Sequence, residues 1–315
     1  MSTYHTFIGI DIGKFNFVVA THGQSQAKEY EYSLKGMESF LKDHEDILSD
    51  SLCIIETTGG YELKLIYTLM SKGYRVHRAN TRKVKNFIRS YGNEAKTDKL
   101  DALSLARYGF ERHATLELYA PQSKEALALY ELVGRRTDLK KLLVAEKNRL
   151  QGPCTNLTRP SIQAMIKTLE VQIQEITCQM ELLVKSDERL QQKKEVLKTI
   201  PGIGDITAME LLALLPELGS IDRRAIASLA GLAPRSNDSG LHQGYRRVSY
   251  GRTGVKPALF MAAMAARRSK SHLGAYYEAM IGRGKKKMVS LIALMRKLVV
   301  IANARLRDFE IQNPA

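Results

Sequence analysis

The chain has little cysteine. Cys53, Cys154 and Cys178 show no CxxC spacing and have no histidine close in sequence, so no zinc site is built from them and a reduced, cytoplasmic setting is expected. Long apolar runs are also missing. The most apolar late stretch, Met288 to Ala304, is broken by Arg296 and Lys297, and the N-terminus runs directly into a strand-like segment, so neither a signal peptide nor a membrane span is expected. Acidic residues are scarce in the last third. Of the net charge of +15, residues 1–121 carry +1, residues 122–219 carry +1 and residues 220–315 carry +13. That asymmetry argues against an enzyme of small metabolites and for a polyanionic partner, because phosphate-backbone binding needs a concentrated cationic field; a generally basic surface is the competing explanation.

What is present suits a folded protein. With 315 residues and 44% hydrophobic content the chain can bury a real core, and its length favours two domains over one. Short β-rich runs at Thr6–Ile12, Phe15–Thr21 and Lys28–Ser33 are punctuated by Gly13 and Gly23. A helix over Gly36–Leu48, a strand at Leu52–Thr57, a helix over Tyr61–Lys72 and a strand at Tyr74–Ala79 follow. The order β-β-β-α-β-α-β predicts an α/β domain with a mixed sheet covered by helices, an order also found in ribonuclease H-like folds.

Residues 122–198 contain few breakers and read as long helices. Met165, Leu169, Ile173, Ile176, Met180 and Leu183 step by 4, 4, 3, 4 and 3, a heptad-like seam that predicts a helical hairpin or coiled coil, with the reversal near Gly152–Pro160. The seam serves either an internal core or a dimer. Residues 199–315 form a third, basic and mainly helical region opening on Thr199-Ile-Pro-Gly-Ile-Gly-Asp205. This turn resembles a helix-hairpin-helix phosphate grip, and an ordinary turn between helices explains it equally well.

Two strands each carry one acid at an otherwise apolar position: Asp11 in Ile8-Gly-Ile-Asp-Ile-Gly13 and Glu56 in Cys53-Ile-Ile-Glu-Thr-Thr-Gly59. An acid in such a run is costly without a partner or a metal. The third element is Lys96-Thr-Asp-Lys-Leu-Asp-Ala102, where Thr97 or Asp98 caps a helix running to Arg112 and the i,i+3 spacing sets Asp98 and Asp101 on one face. Four converging carboxylates repel one another unless cations intervene, and all-oxygen ligands suit Mg²⁺ or Mn²⁺. A pair of such ions activates an attacking hydroxyl and stabilises the leaving oxygen in phosphodiester cleavage. Taken singly, Asp11 reads equally as a turn former, Glu56 as a salt-bridge partner and Asp98 as a helix cap.

These motifs, followed by Ile200-Pro-Gly-Ile-Gly204 and Leu229-Ala-Gly-Leu-Ala-Pro-Arg235, resemble in order and over almost the whole chain the DEDD transposases of the 110-type insertion-sequence family, relatives of the Piv DNA invertase. The resemblance implies a RuvC-like domain over 1–121 with Asp11, Glu56, Asp98 and Asp101 as catalytic metal ligands, a helical region over 122–198 and a transposase domain over 199–315. It further implies a nucleophilic serine in Pro234-Arg-Ser-Asn-Asp-Ser-Gly240, here Ser239, attacking DNA through a phosphoserine intermediate. Ser236 stands where the family commonly has Gln, Asp238 replaces its first Ser and Leu241 its second Gly, so Ser236 and Ser249 are rival nucleophiles. Arg235, Arg246, Arg247, Arg252 and the turn lysines Lys285, Lys286 and Lys287 are the expected phosphate contacts. DNA, a noncoding bridge RNA and assembly from dimer to tetramer are further implications of the resemblance. The rival functions are a junction-resolving nuclease using water alone, a noncatalytic nucleic-acid binder and a sugar kinase suggested by Gly-Ile-Asp-Ile-Gly. The last lacks a second phosphate loop and leaves the basic third unexplained.

Overall fold

In the computed structural model, which describes residues 4–92, 97–120, 123–153, 156–236, 238, 240 and 244–314, the β-branched start of the chain forms a meander. β1 (Thr6–Ile12) pairs antiparallel with β2 (Asn16–Thr21), and β2 with β3 (Ala27–Glu31). The expected helix over 36–48 is two pieces, α1 (Leu34–Asp43), capped by Ser33, and α2 (Glu45–Leu48). Local polar bonds break it: Asp43 turns away to Lys28 Nζ (2.6 Å) and the Tyr30 hydroxyl (2.9 Å), and His44 Nδ1 lies 3.1 Å from the Phe40 carbonyl.

β4 (Ser51–Glu56) runs parallel to β1 on its other side. After α3 (Glu62–Ser71), β5 (Arg75–Ala79) adds parallel to β4, giving a mixed sheet of order β3-β2-β1-β4-β5. α4 (Thr81–Arg89) is additional to the elements expected from the sequence. Its signals are Asn80, whose side chain accepts from the Arg82 and Lys83 amides, and the buried pair Val84 and Phe87. α5 (Asp98–Arg112) completes this unit.

Strand alternation assigns the two faces. Ile8, Ile10, Cys53 and Ile55 pack with Met37, Phe40, Leu65, Ile66 and Leu69 from α1 and α3. Phe7, Leu52 and Ile54 point the other way and pack with Leu105 and Tyr108 of α5 and Val84 and Phe87 of α4. By the same parity Asp11 and Glu56 belong to the face that α5 covers.

The chain divides into two compact units, Met1–Pro121 and Gln122–Ala315. The second opens on two long helices, α6 (Lys124–Gln151) and α7 (Arg159–Ser186), which form an antiparallel hairpin. Lys147 pairs with Glu170 at 2.8 Å near the closed end, and Leu129 and Val133 pack with Met180 and Val184 near the open end. The expected stripe shifts slightly: Leu169 and Met180 are buried, but Met165 is half exposed and Val184 is more deeply buried than Leu183. A straight helix at 3.6 residues per turn drifts from a strict heptad, which moves the seam by one position at each end. α7 ends where Asp187 caps α8 (Glu188–Lys198) by accepting from the Leu190 amide.

The hairpin is not an isolated segment, because Met209 and Ala213 of α9 (Asp205–Leu214) enter its core. At this junction Arg136 is almost wholly buried; its Nε donates to Thr177 Oγ1 at 2.9 Å and its Nη1 to Glu210 at 3.1 Å. Burial raises the Glu210 carboxyl above its ordinary range in spite of Arg136 and Lys140. Removing the cation leaves an acid in a low-dielectric setting, so Arg136→Ala is expected to cost about 3–5 kcal/mol in chemical denaturation.

The rest of this unit is α10 (Arg223–Leu229), the two-residue strands β6 (Pro234–Arg235) and β7 (Arg247–Val248), then α11 (Val255–Ala266), α12 (His272–Gly282) and α13 (Lys287–Gln312). Its core gathers Leu211, Leu215, Leu259, Ala263, Leu294, Leu298 and Ala302, with α13 as the shared wall. Among the described residues no helix is long and apolar enough to cross a membrane.

Candidate active site

The first acid lies near the end of β1, where Ile10 sits beside Ile55 of β4 and the next residue of each strand is the acid, Asp11 or Glu56. The other two ride on α5. Thr97, in extended backbone, caps that helix by accepting from the Leu100 amide at 3.2 Å, so Asp98 and Asp101 fall in its first turn, where the positive end of the helix dipole favours their charge. Of the two capping residues left open by the sequence, Thr97 is the one used.

α5 reaches this position because Gly9 has no side chain. A Cβ there would stand 2.1 Å from the Ala102 carbonyl and 2.3 Å from the Ala106 amide nitrogen, so helix and strand touch backbone to backbone just beyond the Asp98–Asp101 turn. Gly9→Ala is therefore expected to push α5 outward, costing about 1–3 kcal/mol of stability. The loss is measured by chemical denaturation of the variant beside the wild type.

The electrostatics tie the four acids together. Burial, then the like charges of Asp101, Asp98 and Glu56, push the Asp11 carboxyl up to about 6 from an ordinary 3.8, against a weaker opposing bond from the Ile12 backbone. Among the described residues no three His, Cys, Asp or Glu side chains already stand at ligating distance from one point. The acids thus form an electrostatic cluster rather than a closed coordination shell. Its donor set, four carboxylates with no sulfur or imidazole, matches the chemistry of a hard divalent cation.

Behind Glu56 lies a feature not anticipated from the sequence. Glu62 is fully buried, and one of its carboxylate oxygens accepts from Thr58 N (3.1 Å), Thr58 Oγ1 (3.1 Å) and Gly60 N (2.9 Å), while the other accepts from Arg78 Nε at 2.9 Å. Burial alone would raise this carboxyl, but backbone amides and Arg78 hold it below its usual range. The loop following Glu56 is thereby fastened to both α3 and β5. The signal for this was an acid at the start of a helix two residues after paired glycines, and nothing local revealed its arginine.

In the second unit the expected phosphate contacts separate into two kinds. Arg246 and the turn residues Lys285, Lys286 and Lys287 are exposed, the lysines at the start of α13. Arg235 and Arg247 are exposed on the β6–β7 ribbon. Arg252 differs: Nη1 donates to the Leu214 carbonyl (2.8 Å) and to Glu217 (2.7 Å), and Nη2 to Glu217 (2.6 Å), a bidentate pair that makes it a structural brace rather than a free phosphate ligand. Ser239 lies outside the described residues; of its rivals, Ser236 is exposed at the end of β6 and Ser249 half-buried after β7.

The Pro201–Gly204 turn joins α8 to α9. Gly202 adopts φ +94°, and a Cβ there would meet the Ala262 carbonyl at 2.4 Å, so its glycine is required by the turn and by packing on α11. Asp205 in the first turn of α9 pairs with Lys198 (3.0 Å) and Lys194 (3.2 Å).

Comparison with known proteins gives consistent matches along the chain. A transposase model of the IS110 DEDD type matches residues 8–157, and the model of the transposase IS116/IS110/IS902 family matches residues 194–278. The pilin gene-inverting protein of Moraxella lacunata is 31% identical over 313 residues, spanning 96% of this chain and 96% of its own, as is that of Moraxella bovis. A 43.6 kDa uncharacterised protein of insertion element IS110 from Streptomyces coelicolor is 29% identical over 161 residues, 50% of this chain and 39% of its own.

Proposed function

Because the chain belongs to the DEDD transposases of the IS110/IS116/IS902 family, a group of DNA-rearranging proteins, we propose that it cuts and rejoins DNA strands with the Asp11, Glu56, Asp98 and Asp101 cluster and a serine nucleophile, Ser239. The observation that carries this reading is the Asp11 carboxyl pushed up by burial and by all three other acids, a concentration of negative charge that only a cation or a proton relieves. The N-terminal unit is read as a RuvC-like, ribonuclease H-like domain, supported by its strand order with β1 and β4 central and parallel.

When bound by these acids, Mg²⁺ or Mn²⁺ supplies Lewis-acid stabilisation of the charge that builds on a reacting phosphate. The residues of the chain do the rest. The Ser239 hydroxyl attacks phosphorus, an Oγ–P bond forms and one DNA P–O bond breaks, and the proton released by the hydroxyl passes to the departing DNA oxygen. The phosphoserine conserves the bond energy, so a second DNA hydroxyl reverses the step to join a new strand without ATP. Arg235, Arg246, Arg247 and Lys285–Lys287 hold the backbone, supported by the +13 charge of residues 220–315.

A noncoding guide RNA is part of this reading, supported by the family and compatible with the same basic surface. Assembly of dimers into tetramers through a coiled coil is supported by the α6–α7 hairpin, which leaves Leu142, Val144, Met165, Val171 and Leu182 half or more exposed. The test is trapping: the protein is incubated with element-junction DNA, Mg²⁺ and its co-purified RNA, and DNA-linked peptides are mapped. A covalent adduct on Ser239 is the expected result. Strand cutting with no adduct on any serine would sink the recombinase reading in favour of a nuclease that uses water.

A further inference from the structure

The β6–β7 ribbon has an unfavourable pairing. Its register sets Pro234 opposite Val248 and Arg235 opposite Arg247. Residues directly opposite in an antiparallel pair share a face with Cβ atoms about 5 Å apart, and like charges there repel. Some arginines of this unit are neutralised by a carboxylate: Arg136 by Glu210, Arg189 by Glu310 and Arg252 by Glu217. Among the described residues neither Arg235 nor Arg247 forms an ion pair, although both are exposed.

A second oddity adjoins it. Tyr250 is the one non-glycine residue among those described with positive φ, at 63°, a left-handed conformation that a bulky side chain disfavours. Its backbone is locked there by a close crossing of two glycines. A Cβ on Gly231 would meet the Tyr250 carbonyl at 2.0 Å, one on Gly251 would meet Gly231 Cα at 2.4 Å, and the Arg252 amide donates to the Leu229 carbonyl at 2.8 Å. The strained residue carries a ring, more than half exposed, whose centroid lies 4.6 Å from the Arg235 guanidinium carbon. Stacking fixes the guanidinium plane while leaving its in-plane N–H donors open, the edge that grips a phosphate.

We propose that Arg235 and Arg247 form one clamp for a single phosphodiester of duplex DNA, and that Tyr250 is the positioning residue that holds the Arg235 guanidinium in the clamp. This rests on the DNA-rearranging reading above. An anion between the two arginines turns their repulsion into shared attraction, and the glycine crossing that holds the Tyr250 backbone fixes where its ring meets Arg235.

The experiment is fluorescence anisotropy on a labelled DNA duplex and a labelled RNA hairpin across a KCl series, with thermal melts in parallel. Tyr250→Asn, which tolerates the left-handed backbone but removes the ring, is expected to weaken duplex binding roughly 5–10-fold, the scale of one cation–π contact. Its dependence of log K on log[KCl] stays that of the wild type, because no charge is lost, and its melting temperature does not fall. Tyr250→Phe restores binding to within about twofold. The Arg235→Gln/Arg247→Gln double variant reduces the salt slope by about 1 in total, the loss of one phosphate contact, and loses less affinity than the sum of the two single variants. The clamp is overturned if Tyr250→Asn binds duplex like the wild type, if its affinity and melting temperature fall together, or if the loss is confined to the RNA hairpin. Wild-type protein with no salt-sensitive duplex binding would instead overturn the functional reading itself, and the clamp with it.

Discussion

Asp11→Asn is expected to abolish DNA strand cleavage, by roughly 10³-fold or more, and at the same time to stabilise the protein when divalent metal is chelated. The two effects share one cause. Asp11 titrates near 6 in the folded chain against 3.8 ordinarily, so between those values the folded state binds more protons than the unfolded state. Stability associated with this group is therefore fully present below about pH 4, declines as pH rises and is lost above about 6. A shift of this size corresponds to about 3 kcal/mol before screening, and solvent access at a partly exposed carboxyl reduces it to on the order of 1–2 kcal/mol. Melting in EDTA from pH 4 to 8 should show the wild type losing stability across that window and the Asn variant holding it. Added Mg²⁺ should reverse the order, raising the wild-type melting temperature and leaving the variant unmoved. A variant that melts with the wild-type pH profile would mean that Asp11 does not feel the other three acids.

Ser239→Ala carries the other large effect. If the hydroxyl is the nucleophile, the covalent DNA adduct disappears and strand exchange falls by on the order of 10⁴-fold or more, the scale on which enzymes lose rate when a nucleophile is removed. Ser236→Ala and Ser249→Ala are expected to keep the adduct. Retention of the adduct by Ser239→Ala, with loss in one of the other two, would move the nucleophile to that position. Duplex affinity provides the control, because an alanine for an uncharged hydroxyl leaves the salt dependence of binding unchanged.

Much of the N-terminal unit could be read from short-range pattern. The β-β-β-α-β-α-β order appears as expected, Thr97 caps the helix carrying Asp98 and Asp101, and the reversal between α6 and α7 falls within the polar segment 152–160. Boundaries failed where a side chain found a better partner outside its own segment. Asp43 and His44 broke the helix over 36–48 through bonds to Lys28, Tyr30 and Phe40, and Asp187 ended α7 by capping α8. α4 was legible through Asn80, Val84 and Phe87, but it is short and begins one residue after a strand and its cap.

The sequence by itself determined which elements form, because strand alternation and helical caps act over a few residues, and it determined that two strand acids and an i,i+3 pair were available for one site. Tertiary structure alone decided that Gly9 lets α5 press onto β1, that Glu62 fastens the loop behind Glu56 to Arg78, that Arg252 is committed to Glu217 while Arg235 stacks on Tyr250, and that Asp205 at the start of α9 pairs with two lysines. The reason is physical: a residue's periodicity is set by its near neighbours along the chain, whereas the partner of a charge and the room beside a glycine are set by segments tens of residues away that meet only when the core closes.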